Sequence, residues 1–371
     1  MQKEEKKDAP KPVEPAKPVA PSFPGFDPVA TRLSKEFKHT SALLACRYEP
    51  SGKFLFTSGQ DNTLQRWEIE TAKKTDMAGH SSWVRAMVFA LKDKILISGG
   101  YDGQILTWNY ESAEPIPMRQ VLAHQGWIRA LGIDNTGKKL VSCGNDGRIA
   151  IWSIPEVKPI HSWQGHESHI YQVAFHPSGQ EIVSVDLKGM VRIWDLTGKK
   201  IREVEAKALH KYDAGFGADI GGARSLAFSP NGSSLALSGI TNVSNAFAGI
   251  GNPVILLIDW ATGKITQTLA PKEKFQGTMW GVAFHPAGFV VGTAGGNGGM
   301  LWFWKPDQPN DFAVIKLPDN ARDLAIAPDG KSVAIPFYTG FARTYDITPN
   351  LNPPKEVPPK VVPPKVVPPK T

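Results

Sequence analysis

The sequence predicts an all-β chain built from seven copies of one four-stranded antiparallel unit, and three observations predict it. A spaced set of His, Ser or Thr, Asp and Trp returns again and again through the first half of the chain. Turn-forming clusters punctuate short apolar stretches at even intervals. Prolines crowd the two ends, while glycines fill the middle. A period of about 40 to 45 residues marks a repeat architecture and is read before any local motif.

The spaced set comes first. His80, Ser98, Asp102 and Trp108 form one copy, and His124, Ser142, Asp146 and Trp152 repeat it with every spacing unchanged. His39, Thr57, Asp61 and Trp67 precede them, again with 22 residues from His to Asp and 28 from His to Trp. His166, Ser184 and Trp194 follow, with Lys188 where the spacing expects Asp.

Composition sets the limits. Of 371 residues, 41% are hydrophobic and 11 are Trp, enough for a large core. Residues 1–28 and 349–371 hold 16 of the 31 prolines and only one glycine, Gly25. Pro-rich ends around a Gly-rich middle predict two extended tails, 1–28 and 349–371, flanking one folded unit over 29–348. The net charge is +7, of which the C-terminal tail carries +3. The +4 left to the middle does not argue for specific nucleic-acid binding. Cys46 and Cys143 fall in different repeats, so neither a disulfide nor a metal site is expected. No apolar run approaches the ~20 residues of a membrane span. The chain opens Met1-Gln2-Lys3-Glu4-Glu5 with no apolar stretch behind it. A cytoplasmic location is expected for the chain as it stands, and an exported one if a leader has been removed.

In chain order, the stretch Arg32–Lys38 ends in His39 just as other stretches end in His80, His124 and His166, so each reads as the outer strand closing one unit. An inner strand, a turn and a second strand follow each His. Pro50-Ser51-Gly52, Asn135-Thr136-Gly137, Pro177-Ser178-Gly179, Pro230-Asn231-Gly232, Pro286-Ala287-Gly288 and Pro328-Asp329-Gly330 supply those turns. Leu91-Lys92-Asp93-Lys94 serves in the second unit. Pro presets φ there, and Gly or Asn takes positive φ. The next hairpin turns on Asp102-Gly103 or Asp146-Gly147, pairs suited to two-residue loops. A third strand ends on Trp67, Trp108, Trp152, Trp194, Trp260, Trp304 or Tyr345. Such units cannot bury both faces alone and must stack around an axis as propeller blades.

The chain resembles the WD-repeat β-propeller family. Gly79-His80, Gly165-His166, the Asp-Gly turns and Trp194-Asp195 carry the resemblance, which spans 29–348. It implies ring closure, with the Arg32–Lys38 strand completing the last blade. It also implies a hydrogen-bonded tetrad: Asp to His, His to the Ser or Thr hydroxyl, and that hydroxyl to the Trp indole. The fifth unit departs from the pattern with 22 extra residues, about 9 around 212–220 and about 13 within 240–252. The second insertion is rich in small residues and reads as an exposed loop. The fifth to seventh units lack the His/Asp pair.

Ser, His and Asp together also suit nucleophilic catalysis, but an enzyme needs one nucleophile and one base at one place. Three complete copies and one partial copy argue for a repeated structural task, so no catalytic residue, cofactor or metal is expected.

A second pattern bears on function. With the inner strands aligned on Tyr48, Phe89, Ile133, Phe175, Phe228, Phe284 and Ile326, four residues earlier stand Leu44, Arg85, Arg129, Tyr171, Arg224, Trp280 and Arg322. Two residues before these lie Trp83, Trp127 and His169, and ahead of the turn Asp lie Gln60, Tyr101 and Asn145. Four arginines and two aromatics at one position should converge at one mouth of the central channel. The bland alternative is arginines paired with nearby carboxylates or water. Arg and large aromatics dominate interface energetics, and the resemblance makes this end of the ring the usual partner-binding face. The expected function is a monomeric, non-enzymatic scaffold that takes an acidic protein or peptide segment here. The alternative is a propeller enzyme or a small-anion sensor using the channel.

The C-terminal tail repeats Val357-Pro358-Pro359-Lys360 every five residues. Such a tail reads as a stiff polyproline-II spacer, or as a ligand for a Pro-binding groove or an anionic surface.

Overall fold

Residues 23–349, apart from 91, 93 and 246–249, are described by a computed structural model. Alternating apolar residues build seven four-stranded antiparallel sheets around a central axis. Six are continuous in the chain, spanning 43–77, 84–122, 128–164, 170–205, 225–269 and 277–317. The seventh joins Ala325–Ile326, Ser332–Pro336 and Phe341–Asp346 to the N-terminal strand Arg32–Lys38. Lys38 pairs with Phe341 and Arg32 with Asp346, so the two ends of the propeller close on each other. The product is a seven-bladed β-propeller, as the repeats predict.

Period-two side-chain alternation explains why both faces of a strand are apolar. In the second blade Ile95 and Ile97 join the cluster shared with the third blade, while Leu96 joins the cluster shared with the first. In the fifth, Leu235 and Leu237 face the fourth blade and Ala236 faces the sixth. Seven apolar clusters result, one at each blade interface. A buried aliphatic side chain gains about 1.5–3 kcal/mol, so stability is distributed around the ring with no single core. Cys46 and Cys143 are both buried and free. No helix among the described residues is long and apolar enough to cross a membrane.

Two expectations require correction. The exposed loop expected over 240–252 is largely strand. Ser234–Asn245 and Ile250–Asp259 run on past the blade, pairing Ile240 with Pro253 and Thr241 with Asn252. Ile240 and Val243 are buried, and their β-branched side chains favour extended backbone over a loop. The first insertion is also ordered as a small hairpin, His210–Asp213 with Ala218–Gly221. Lys211 Nζ donates to the Val243 carbonyl at 2.6 Å, tying the two insertions together.

Contacts with the propeller begin before Val29. Phe23 packs edge-on against Phe289, and Phe26 against His285, with ring centroids 4.8 and 4.4 Å apart. Residues 1–22 and 350–371, most of the two sequence-predicted tails, lie outside the described residues.

Candidate functional site at the channel mouth

The inner strand of each blade decides what enters the channel. In five blades that strand carries a β-bulge near its start, and the unpaired residue is Leu44, Arg85, Arg129, Tyr171 or Trp280. A bulge leaves one residue out of the ladder and re-aims its side chain. Arg224 and Arg322 lie just ahead of their strands, their N–H groups bonded to Ser238 and Pro336 carbonyls. The bulge is therefore one structural device, used in five of the seven blades.

These side chains line a cavity of about 310 Å³. The sequence-predicted residues Trp83, Arg85, Tyr101, Arg129, Tyr171, Arg224, Trp280 and Arg322 all border it. Trp127 does not line it, but stacks on Tyr101 with ring centroids 4.2 Å apart. His169 is exposed and also stands outside the lining. Tyr338 borders the cavity and is missed by the sequence reading. It is the seventh blade's counterpart of Tyr101, immediately before the turn position, so counting back from Tyr345 would have found it.

Guanidinium groups and rings alternate around the mouth. Arg129 lies 4.6 Å from the Tyr171 ring centre and Arg224 5.2 Å from it. Arg224, Arg322 and Arg85 approach Trp280 at 5.3, 5.1 and 5.7 Å, and Arg322 reaches Tyr338 at 4.7 Å. The negative ring faces hold cations close to one another. Arg129 also donates to the Asn145 side chain at 2.8 Å and to the Tyr101 hydroxyl at 3.1 Å.

This charge has no ion-paired carboxylate among the described residues, and Asp319 acts on Arg322 only from outside the lining. The lining contains no Asp or Glu, and none of the four arginines forms an ion pair among the described residues. The buried Nε groups of Arg224 and Arg322 have no hydrogen-bond partner. Burial first, then the charges of Arg129 and Arg85, pushes the Arg224 guanidinium below its usual value. Burial and Arg85 do the same at Arg322. Of the bland alternative, pairing with carboxylates or water, the carboxylate ion pairs are absent among the described residues.

The His-containing sets lie elsewhere, between strands of single blades. His80 binds Asp102 through Nδ1 at 3.0 Å and Ser98 through Nε2 at 2.8 Å, and the Trp108 indole donates to Ser98 at 2.8 Å. His124, Asp146, Ser142 and Trp152 repeat this geometry. Burial works to raise the Asp102 and Asp146 carboxyls. The paired histidines and two backbone N–H groups at each outweigh it and hold both below the usual range. The Ser98 and Ser142 hydroxyls are fully buried within their blades.

Two copies depart from the expected wiring. In the fourth blade His166 binds Asp186 at 3.1 Å, so the set is complete, and Lys188 instead pairs with Asp219. In the first blade His39 binds Asp61 at 2.7 Å, but Gln65 stands between His39 and Thr57. Thr57 still accepts from the Trp67 indole at 2.9 Å. The fifth and sixth blades lack the set, and their indoles find other acceptors. Trp260 donates to Glu181 at 2.9 Å and Trp304 to the Ala270 carbonyl at 3.3 Å.

Repeated four-stranded blades, their closure by the N-terminal strand and the buried His-Ser-Trp networks define a class of ring-shaped repeat proteins. The family model described as "WD domain, G-beta repeat" matches residues 31–68, 72–109, 116–153 and 157–195. Each match begins with the outer strand of the preceding blade, the one-strand offset that ring closure requires. The first four repeats of the chain are WD repeats, and they form part of one seven-bladed β-propeller.

Among relatives, the mitotic checkpoint protein bub-3 of Caenorhabditis elegans is 32% identical over 76 residues, 20% of this chain and 22% of bub-3. DDB1- and CUL4-associated factor 10 of Danio rerio is 28% identical over 88 residues, 23% of this chain and 17% of that protein. The nuclear distribution protein nudF of Emericella nidulans is 25% identical over 195 residues, covering 46% and 44%. The matched stretches thus span less than half the length of these relatives.

Proposed function

We propose that this protein is a non-enzymatic interaction scaffold whose channel mouth binds an acidic segment of a protein partner. One observation carries this reading: four arginines share one mouth whose lining holds no carboxylate. Arg donates in a forked geometry that fits carboxylates two bonds at a time. The mouth exposes large aromatic surface, with Trp83 39% and Tyr338 46% accessible, and Trp127, stacked on Tyr101 beside it, is 42% accessible. Aromatic anchors beside desolvated arginines are the composition of interface hot spots. The relatives support a binding role, since one of them is named for its association with two other proteins. The partner's acidic residues would meet Arg85, Arg224 and Arg322, while apolar or aromatic residues beside them would rest on Trp83 and Trp127. The propeller acts as a monomer in this reading.

A fluorescent peptide rich in Glu with a single Trp tests the reading directly. It should bind saturably, and its Gln-for-Glu counterpart should bind at least tenfold more weakly, a loss of about 1.4 kcal/mol or more. Equal binding of the two peptides would remove charge recognition from the account.

A further inference from the structure

Below the mouth, the channel holds a second cavity of about 220 Å³ that contains the ion pair between Arg47 and Asp323, at 2.5 Å. Four residues border both cavities: Arg85, Arg129, Gln172 and Arg224. They form a throat between two chambers, and three of them are cationic.

We infer that this throat is a discrete site for a small tetrahedral oxyanion of the phosphate class, held by Arg85, Arg129 and Arg224. Asp323 is the one carboxylate bordering the lower chamber, and Arg47 already occupies it. Gln172 is committed on one side only: its amide nitrogen donates to the Arg224 carbonyl at 2.7 Å. Tyr171, Trp280 and Tyr101 hold the three guanidinium groups from the side, and the charges of Arg129 and Arg85 both reach Arg224. Charge-assisted bonds from Arg to such an oxyanion are short and about twice as strong as neutral ones. The buried, unpartnered Nε of Arg224 is the kind of group that burial penalises until it finds an acceptor.

The inference goes beyond the scaffold reading and does not depend on it. Where both hold, the ion competes with the acidic segment for Arg85, Arg129 and Arg224, so free phosphate would weaken partner capture.

Isothermal titration of the full chain with inorganic phosphate tests the site, with sodium chloride at equal ionic strength as the control. Saturable binding at one ion per chain is expected, with a dissociation constant at or below about 1 mM. Arg85→Gln and Arg224→Lys should each weaken it at least tenfold. Arg85 makes no hydrogen bond or ion pair among the described residues, so its variant should fold normally. No saturable heat up to ~10 mM, equal heat from chloride, or unchanged affinity in both folded variants would overturn the inference. Phosphate binding without capture of the Glu-rich peptide supports the ion site and counts against the scaffold reading. Peptide capture without phosphate binding does the reverse.

Discussion

His166 binds the Asp186 carboxylate at 3.1 Å, and that carboxylate also accepts the backbone N–H groups of Lys188 and Met190 at 2.9 Å each. Asp186 lies at the end of its strand, where the second and third blades have Gly100 and Gly144. A Cβ on Gly100 would fall 2.5 Å from both Asp102 and His80. The blade thus has one space for one carboxylate, which can enter from the strand end or from the turn. Asp186→Gly should therefore destabilise the protein by about 2–3 kcal/mol, leaving a buried imidazole N–H without its charged acceptor. Adding Lys188→Asp should recover part of that loss, as chemical denaturation can show. A double variant no more stable than Asp186→Gly alone would contradict the shared-space account.

Asp102→Ala should lower the melting temperature by several degrees through the same loss. Capture of the Glu-rich peptide below that temperature should be unchanged, because Asp102 does not line the mouth. Lost binding at unchanged melting temperature would move the second-blade tetrad from a structural to a recognition role.

Two windows of acid sensitivity are expected, and their signs follow from the proton balance. Burial holds the His285 imidazole below its usual 6.5, while its Nε2–H donates to the Gly330 carbonyl and its Nδ1 accepts from Ala287. The unfolded chain protonates this residue first, so stability is full above about pH 6.5 and falls as pH drops toward the folded value. Asp102 and Asp146 are held below their usual value by their histidines, so their contribution persists to about pH 4 and is lost below it. Denaturation midpoints across pH 3 to 8 should show two separate declines. The upper decline should vanish in a folded His285→Gln variant, and its persistence there would assign it elsewhere.

Trp280 is the surface on which three of the four arginines rest. Trp280→Ala should weaken peptide capture about tenfold, given roughly 0.5–1 kcal/mol for each cation–ring contact. Trp280→Phe should keep most of the affinity. Equal loss in the two variants, measured by fluorescence anisotropy, would mean that the indole contacts the ligand itself and is not chiefly a support for the arginines.

Much of this architecture was legible in the sequence because spacing and geometry are locked together in a repeat. Arg85, Arg129, Arg224 and Arg322 could be placed in one ring because each stands at a fixed distance from an apolar inner-strand residue. The departures had physical causes that a fixed spacing hides. Asp186 escapes the spacing because the carboxylate can reach the histidine from a second position. Gln65 escapes it because a side chain from the third strand enters the His39–Thr57 gap only in three dimensions. The ordered fifth-blade hairpin resembles a loop in sequence because its small residues conceal the burial of Ile240 and Val243. Phe23 and Phe26 fell inside a Pro-rich stretch, where composition outweighed two aromatic anchors.

The central claim is that the uncompensated arginines at the mouth select the partner. Side-by-side affinity purification with the intact protein and with an Arg85→Ala, Arg129→Ala, Arg322→Ala triple variant tests it most directly, with circular dichroism confirming that both are folded. The account predicts that a partner with an acidic segment is recovered by the intact protein and lost with the triple variant. Recovery of the same partner in equal amount by both would contradict it.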